Sequence, residues 1–494
     1  MNLSPPSFRW LAAAIVAWLV SSIPAAAARS NILFIAADDL RPDLGCYGVA
    51  QVKTPNLDAL ARRGRLFERA YVQQAVCNPS RASIMTGLRP DAIEVWDLQT
   101  HFRAARPDAV TLPQHFKNNG YTTISIGKLF HNQGRRVPPG GPFSDPVSWS
   151  VPPAFADGAH WQDWVMPDGK PPPRKQDAMQ CLDVPDNAYF DGQIADAACA
   201  KLAELESAGQ PFFLAVGFWK PHLPFNAPKK YWDLYDRAEI APPDPAAMPT
   251  GAPAMAGHDS NELRNYGGIP KEGPIPPALA AELRHGYYAG ISFLDAQVGR
   301  IVAELERLGL ADNTIIVFWS DHGFHLGEHT LWGKSSNYEL DARSPLIIAT
   351  PGLKQSGVGA PGLVEFIDIY PTVVALAGLP AASGLQGRSL VPLLEDPRHP
   401  GKAAVLSQHP RPYFNGQLTH MGYSLRTAQH RYVEWREVST GTVTARELYD
   451  EAADPRETVN RASEPTQAAL VEKLAEQLRD LAGENPRILP LSAN

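Results

Sequence analysis

The amino-acid sequence predicts an α/β fold, a large, mostly parallel sheet sandwiched by helices, followed by a smaller antiparallel subdomain. Three observations predict it. First, the runs Asn31–Ala37, Tyr121–Ile126, Phe212–Val216, Thr314–Trp319 and Leu346–Ala349 are short, apolar and partly β-branched, as strands covered on both faces tend to be. Second, Pro55–Arg63, Leu112–Asn118, Asn187–Ala208 and Ala278–Leu308 lie between them with helical periodicity, and that alternation puts helices against a parallel sheet. Third, the chain changes character after about Pro400. There Tyr423–Thr427, Tyr432–Arg436 and Ala445–Leu448 read as strands of a small antiparallel sheet, closed by a helix over about Thr466–Leu481.

The elements run as follows. Arg9, the apolar run Trp10–Val20 and the small residues Ala25–Ala28 have the order of a secretory signal peptide, with the mature chain starting near Arg29. The run is too short to span a bilayer comfortably. The expected organisation is therefore a signal peptide over 1–28, a main α/β body over 29–400 and a C-terminal subdomain over 401–494, in a secreted or periplasmic protein with no stable membrane span. The 494 residues carry 45 Lys and Arg against 52 Asp and Glu, a net charge of −7. No basic tail is present to bind nucleic acid, so any anionic ligand must meet a local cluster of positive groups. The four cysteines, Cys46, Cys77, Cys181 and Cys199, do not make a disulfide scaffold. Cys181 and Cys199 are the pair that an oxidising compartment could join. The Pro-rich stretches Val137–Pro173 and Ala241–Pro277 lack periodicity and are expected to be long surface loops around a site.

Chemistry gathers at the carboxyl ends of the predicted strands, where open α/β sheets bind ligands. The first strand ends in Asp38-Asp39, the second in Gly127-Lys128 with His131 just beyond. The third ends in Lys220-Pro221-His222 and the fourth in Ser320-Asp321-His322-Gly323. Adjacent carboxylates often make a solvated turn. Joined by Asp321, however, Asp38 and Asp39 suit a hard cation such as Ca²⁺ or Mg²⁺, whereas His322 is a less usual donor for one. Lys128, His131, His222 and Lys334 each have an ordinary reading alone, as a surface lysine or a satisfied histidine. Together at strand ends they would line an anion pocket. Cys77 sits just ahead of a predicted helix start, with Pro79 in its first turn and Ser80 placed to satisfy free N–H groups. The helix dipole and Arg81 make that a setting for an activated or modified sulfur, although a lone cysteine is more often buried structure.

The pattern Cys77-x-Pro79-Ser80-Arg81 resembles the sulfatase signature. Gln73-Gln74-Ala75-Val76 before it, Gly127-Lys128-x-Phe130-His131, Lys220-Pro221-His222-x-Pro224-Phe225, Ser320-Asp321-His322-Gly323 and Gly327-Glu328-His329 followed by Lys334 occur in the family order. From about Asn31 to Asn460 the chain is similar to the type I, formylglycine-dependent sulfatases, most of all to the iduronate-2-sulfatase branch. The resemblance implies an alkaline-phosphatase-like fold, with 29–400 as the catalytic domain. It implies that a formylglycine-generating maturation enzyme oxidises Cys77 to an aldehyde whose hydrate attacks sulfur. The alcohol then leaves, protonated by a histidine or lysine, and the second hydroxyl loses its proton and expels sulfate. By the same resemblance one divalent cation, Ca²⁺ first, is held by Asp38, Asp39, residue 77, Asp321 and His322. Arg81 orients the nucleophile and the ligands, and Lys128, His131, His222 and Lys334 act on the sulfate and the leaving group. The implied substrate is a sulfated carbohydrate, with a 2-O-sulfated uronate as the leading case. A uronate needs a second cationic contact, for which Arg89, Arg103, Lys175 and His329 are candidates. Two other readings stand beside this one: a phosphonate or phosphate ester hydrolase of the same superfold, told apart by the positive charge of its pocket, and a secreted glycan-binding protein in which Cys77 is never modified.

Overall fold

A computed structural model describes Met1 and residues 29–131, 144–155, 163–166, 176–413 and 417–482. The predicted signal peptide and Lys175 lie outside the described residues, as does most of Val137–Pro173. The large sheet has seven strands: β1 (Asn31–Asp38), β2 (Arg65–Tyr71), β3 (Thr122–Gly127), β4 (Phe212–Pro221), β5 (Thr314–Ser320), β6 (Leu346–Ala349) and β7 (Ala360–Glu365). Their order is β7-β2-β6-β5-β1-β4-β3. β1 sits near the middle and runs parallel to both β4 and β5. β3 is parallel to β4, and β7 to β2.

β6 departs from the expected parallel direction, running antiparallel to both β5 and β2. A parallel return needs a crossover, usually a helix. The chain between β5 and β6 instead forms a two-residue-per-strand hairpin and the single helical turn Glu339–Ala342. β2 and β7 were not predicted. Arg65, Glu68 and Arg69 break the apolar run in β2, and Pro361 and Gly362 fall at a register shift in β7, an edge strand where proline is tolerated.

Alternation along β1 divides the core into two layers. Leu33, Ile35 and Ala37 pack with α1 (Pro55–Arg63), α4 (Phe190–Ala208) and α5 (Pro277–Arg307). Ile32, Phe34 and Ala36 pack on the other face with α2 (Cys77–Thr86), α3 (Leu112–Asn118) and α6 (Ile369–Leu376). Both faces of the central strands are thus closed to water, and only the strand ends remain for a ligand.

The C-terminal region builds a separate antiparallel sheet, β8 (Ala404–Arg411), β9 (His420–Thr427), β10 (His430–Glu437) and β11 (Val443–Asp450), covered by α7 (Ala468–Ala482). β8 was not predicted. It docks on the chain ahead of α2: Ser407 Oγ donates to Val72 O at 2.6 Å and Gln408 N to Gln73 O at 2.8 Å. All four cysteines are free. Cys181 is exposed on the short strand Met179–Leu182, while Cys199 on α4 turns its Sγ toward Arg300 O of α5. Cys181 and Cys199, the pair that an oxidising compartment could join, are not bonded: the two side chains face different neighbours.

Candidate active site

Strand ends and one helix start bring the predicted residues together. β1 delivers Asp38 and Asp39, both wholly buried. Neighbouring residues on a regular strand point to opposite faces. Asp39 escapes that alternation with φ of +63°, a left-handed conformation that aspartate tolerates better than most residues. Its N–H donates to Asp321 Oδ1 at 3.1 Å, which ties the ends of β1 and β5. Cys77 is the first residue of α2, and its Sγ lies 3.6 Å from Asp38 Oδ1, 3.9 Å from Asp39 Oδ1 and 3.3 Å from His322 Nε2. His322 Nδ1–H donates to Gly323 O at 2.9 Å, which aims Nε2 at the thiol.

Arg81 lies one turn along α2 with no exposure and ties the carboxylates. Its Nε donates to Asp321 Oδ2 at 2.8 Å, and its Nη2 to Asp38 Oδ1 at 3.1 Å and to Ala37 O at 2.9 Å. Ser80 does not cap the helix as expected; its Oγ donates to Asp321 O instead. Lys128 forms an ion pair with Asp38 Oδ2. Lys334 Nζ lies 2.9 Å from Asp39 Oδ2 and 3.1 Å from His222 Nε2. His131 is buried in the same group.

The electrostatics follow from burial and these partners. Burial pushes the Asp38 carboxyl up, but Lys128 and Arg81 outweigh it and hold the group well below the usual carboxylate range. Asp39 is raised, because burial there outweighs His222 and Lys334. The Cys77 thiol is pushed well above its ordinary value by burial, more than Lys128 offsets. Of the two outcomes expected at this helix start, an activated or a modified sulfur, a raised thiol fits the modified one: the dipole and Arg81 do not overcome desolvation. His131 is held neutral, its pKa pushed well down by burial and by Lys128.

Ligand atoms of Asp38, Asp39, Cys77 and His222 lie within 4.8 Å of one another, and so do those of Cys77, Asp321 and His322. Three of these six donors are carboxylate oxygens, like charges held side by side, which fits a hard divalent cation.

Two groups in the site had no sequence signal. Glu262, on the single turn Asn261–Arg264 inside the predicted loop Ala241–Pro277, places Oε2 at 2.7 Å from Lys334 Nζ and Oε1 at 3.1 Å from His222 Nε2. Tyr413 follows β8; burial pushes its hydroxyl well up, an effect that the positive charge of Lys334 opposes, and its ring lies edge-on to His409 at 5.3 Å. The C-terminal sheet therefore reaches the site. Conversely, the three candidate uronate contacts among the described residues are committed elsewhere. Arg89 is bidentate to Glu365 at 2.7 and 2.9 Å, and Arg103 is bidentate to Asp145. His329 donates Nε2–H to Arg456 O at 2.8 Å.

Comparison with known proteins agrees with this geometry. The Sulfatase family model matches residues 30–379, and a second model, N-sulphoglucosamine sulphohydrolase, C-terminal, matches 327–484. The chain is 36% identical over 469 residues to human iduronate 2-sulfatase, covering 82% of this chain and 84% of that one. It is 30% identical over 463 residues to a choline-sulfatase of Rhizobium meliloti, with coverage of 88% and 83%. Among solved structures, the phosphonate monoester hydrolase of Agrobacterium radiobacter matches with a TM-score of 0.77 at 25% identity, over 92% of this chain and 96% of that one. A protein solved with its substrate D-glucosamine-2-N,6-O-disulfate matches at 0.75 and 24%, over 94% of this chain and all of the other, which speaks for the fold. Strand ends, signature cysteine and the two family models all converge on one statement: this chain belongs to the sulfatase family and is a sulfuric ester hydrolase.

Proposed function

We propose that the protein removes sulfate from a sulfated carbohydrate, with a 2-O-sulfated uronate as its substrate, at the buried group around residue 77. The observation that carries the reading is the seat of Cys77, within hydrogen-bonding or near-contact range of Asp38, Asp39 and His322 on a helix that Arg81 locks to Asp38 and Asp321. Asp38, Asp39, Asp321 and His322, with residue 77, would hold a divalent cation, Ca²⁺ first. Bound there, the cation and an oxidised side chain at 77 would supply a polarised sulfate oxygen and a covalent route that splits the hydrolysis into two steps.

The chain's own residues do the rest. Arg81 fixes Asp38 and Asp321 against each other's repulsion. Lys128 and Lys334 neutralise the sulfate oxygens as charge develops on them. His222, with Lys334 Nζ at 3.1 Å from its Nε2, gives the leaving alcohol its proton. His131, held neutral, lines the same pocket and accepts a hydrogen bond from substrate or water. Residues 29–400 would form the catalytic domain and 401–494 a subdomain that closes it. The resemblance of residues 9–28 to a signal peptide supports export to the periplasm or outside the cell, and no described helix is long and apolar enough to cross a membrane. A formylglycine-generating enzyme is the partner this reading requires.

The uronate assignment rests on the 36% identity to human iduronate 2-sulfatase over most of both chains. The likeness in fold to a phosphonate monoester hydrolase favours one second reading, an ester of phosphorus in the same pocket. Mass spectrometry of the peptide carrying residue 77 from fully active protein should give the aldehyde; a free thiol alone would overturn the nucleophile. Hydrolysis should favour a 2-O-sulfated uronate disaccharide over a 6-O-sulfated hexosamine and over a phosphonate monoester. Preference for the hexosamine ends the uronate reading and leaves the sulfatase chemistry, whereas preference for the phosphonate ends both.

A further inference from the structure

The anion pocket contains a negative group that no motif supplies. Glu262 spans Lys334 and His222 with its two carboxylate oxygens, at 2.7 and 3.1 Å. Its side chain keeps 22% of its exposure, so it stands at the mouth of the pocket rather than behind it. The turn that carries it is anchored from both sides. Trp332 N, beside Lys334, donates to Ser260 Oγ at 2.9 Å, and Arg264 donates to Pro270 O and Gly273 O, each at 2.7 Å. Glu262 is therefore a fixed feature of the wall, and Lys334 faces two carboxylates, Asp39 and Glu262.

We propose that Glu262 is a charge-selecting residue, whose carboxylate tunes the anion pocket to singly charged esters and against doubly charged ones. The inference rests on the reading of Lys334 and His222 as groups that bind the substrate's anion. A sulfate ester carries one negative charge in that pocket. A phosphate monoester carries up to two, with a second pKa of about 6. Shape cannot make the distinction between a sulfate and a phosphate monoester, because the two tetrahedral groups are alike. Charge can. The repulsion between Glu262 and a ligand scales with the ligand's charge, so the carboxylate penalises a dianion about twice as strongly as a monoanion. Removing it should improve binding of a monoanion by some factor and of a dianion by roughly the square of that factor.

The test uses the full chain with Cys77→Ala, expected to turn over too slowly to consume the ligand, in calcium-containing buffer at about pH 8, where the phosphate ester is a dianion. Calorimetry measures 4-nitrophenyl sulfate and 4-nitrophenyl phosphate against Glu262, Glu262→Gln and Glu262→Ala. The expected result is that both variants shift the phosphate-to-sulfate affinity ratio toward phosphate by about tenfold, a difference of ~1.4 kcal/mol. Gln keeps the shape of the side chain and so isolates its charge. An equal gain for both esters, or a gain with Ala alone, means that Glu262 only fills space, and overturns the proposal. An unchanged ratio in both variants overturns it too. If neither ester binds with Glu262 intact, the anion-pocket reading itself has failed, and the inference falls with it.

Discussion

Arg81 and Arg89 lie on either side of one short stretch of chain, both bind carboxylates out of water, and they serve different ends. Arg81 spans Asp38 and Asp321, which belong to β1 and to the end of β5. Around it further groups converge: Asp38, Asp39, Cys77 and His222 bring ligand atoms within 4.8 Å of one another, and so do Cys77, Asp321 and His322. Arg89 grips both oxygens of Glu365 at the end of β7, and Glu365 also takes Lys402 and the N–H of Leu406 on β8. That second cluster is closed. It sews the four-stranded sheet to the seven-stranded one. The comparison teaches that a dense group of buried charges does not mark a site. What marks this one is the convergence of carboxylate, imidazole and thiol groups from several strand ends and one helix start on a single buried cluster.

The sharpest way to test that contrast is Cys77→Ala. The side chain lies at the centre of the site and packs no strand, so turnover should fall by roughly a thousandfold or more while the melting transition stays put. Activity surviving in the purified variant would remove residue 77 from the chemistry. Next in size is Asp321→Asn, which takes away one carboxylate and weakens the hold of Arg81. Metal affinity and turnover should fall together, by on the order of a hundredfold in turnover, and excess Ca²⁺ should recover part of the rate. If exhaustive chelation leaves the wild-type rate unchanged, the cation assignment fails. At the seam the signs reverse. Arg89→Ala should cost about 3 kcal/mol of stability by leaving a buried carboxylate short of its partner, with kcat preserved in whatever fraction stays folded. A loss of kcat without a loss of stability would put Arg89 back among the substrate contacts.

Much of this contrast was legible in the sequence, and the reason is positional. Asp38, Lys128, His222 and Asp321 each follow an apolar run that reads as a buried strand, and strand ends in such sheets share an edge. Arg89 and Arg103 carry the same charge as Lys128 but follow no strand, so nothing in their surroundings told a substrate contact from an ion pair inside the fold. Glu262 was hidden for the opposite reason: it rides a single helical turn in a proline-rich stretch without periodicity. The raised pKa of the Cys77 thiol was not legible, because dipole and charge are local signals, whereas the burial that dominates it depends on the whole fold. β6 was misjudged in direction because apolar runs look alike whether parallel or antiparallel. β8 ends beside the site because it docks on residues 72–73, a long-range contact that no local pattern carries.

The smallest expected effect concerns His329, which by sequence was a candidate for a uronate carboxylate. In the fold it is buried, donates to Arg456 O and lies 3.4 Å from His325 through Nδ1. Burial first, and then His325, pushes its pKa down to about 4. An unfolded chain takes up that proton near pH 6.5, so between about pH 6.5 and 4 the unfolded state binds more protons than the folded one. Stability must then rise with pH across that window and fall on acidification, by ~1.4 kcal/mol per pH unit at the steepest from this group alone. His329 also has φ of +52°, which makes asparagine the replacement of choice, since it tolerates the left-handed region and does not titrate. Urea unfolding of wild type and His329→Asn at a series of pH values should give curves that converge as pH drops from 6.5 toward 4, with wild type losing more. Parallel curves would mean that His329 titrates as it does in water, and would return it to the list of groups free to meet a substrate.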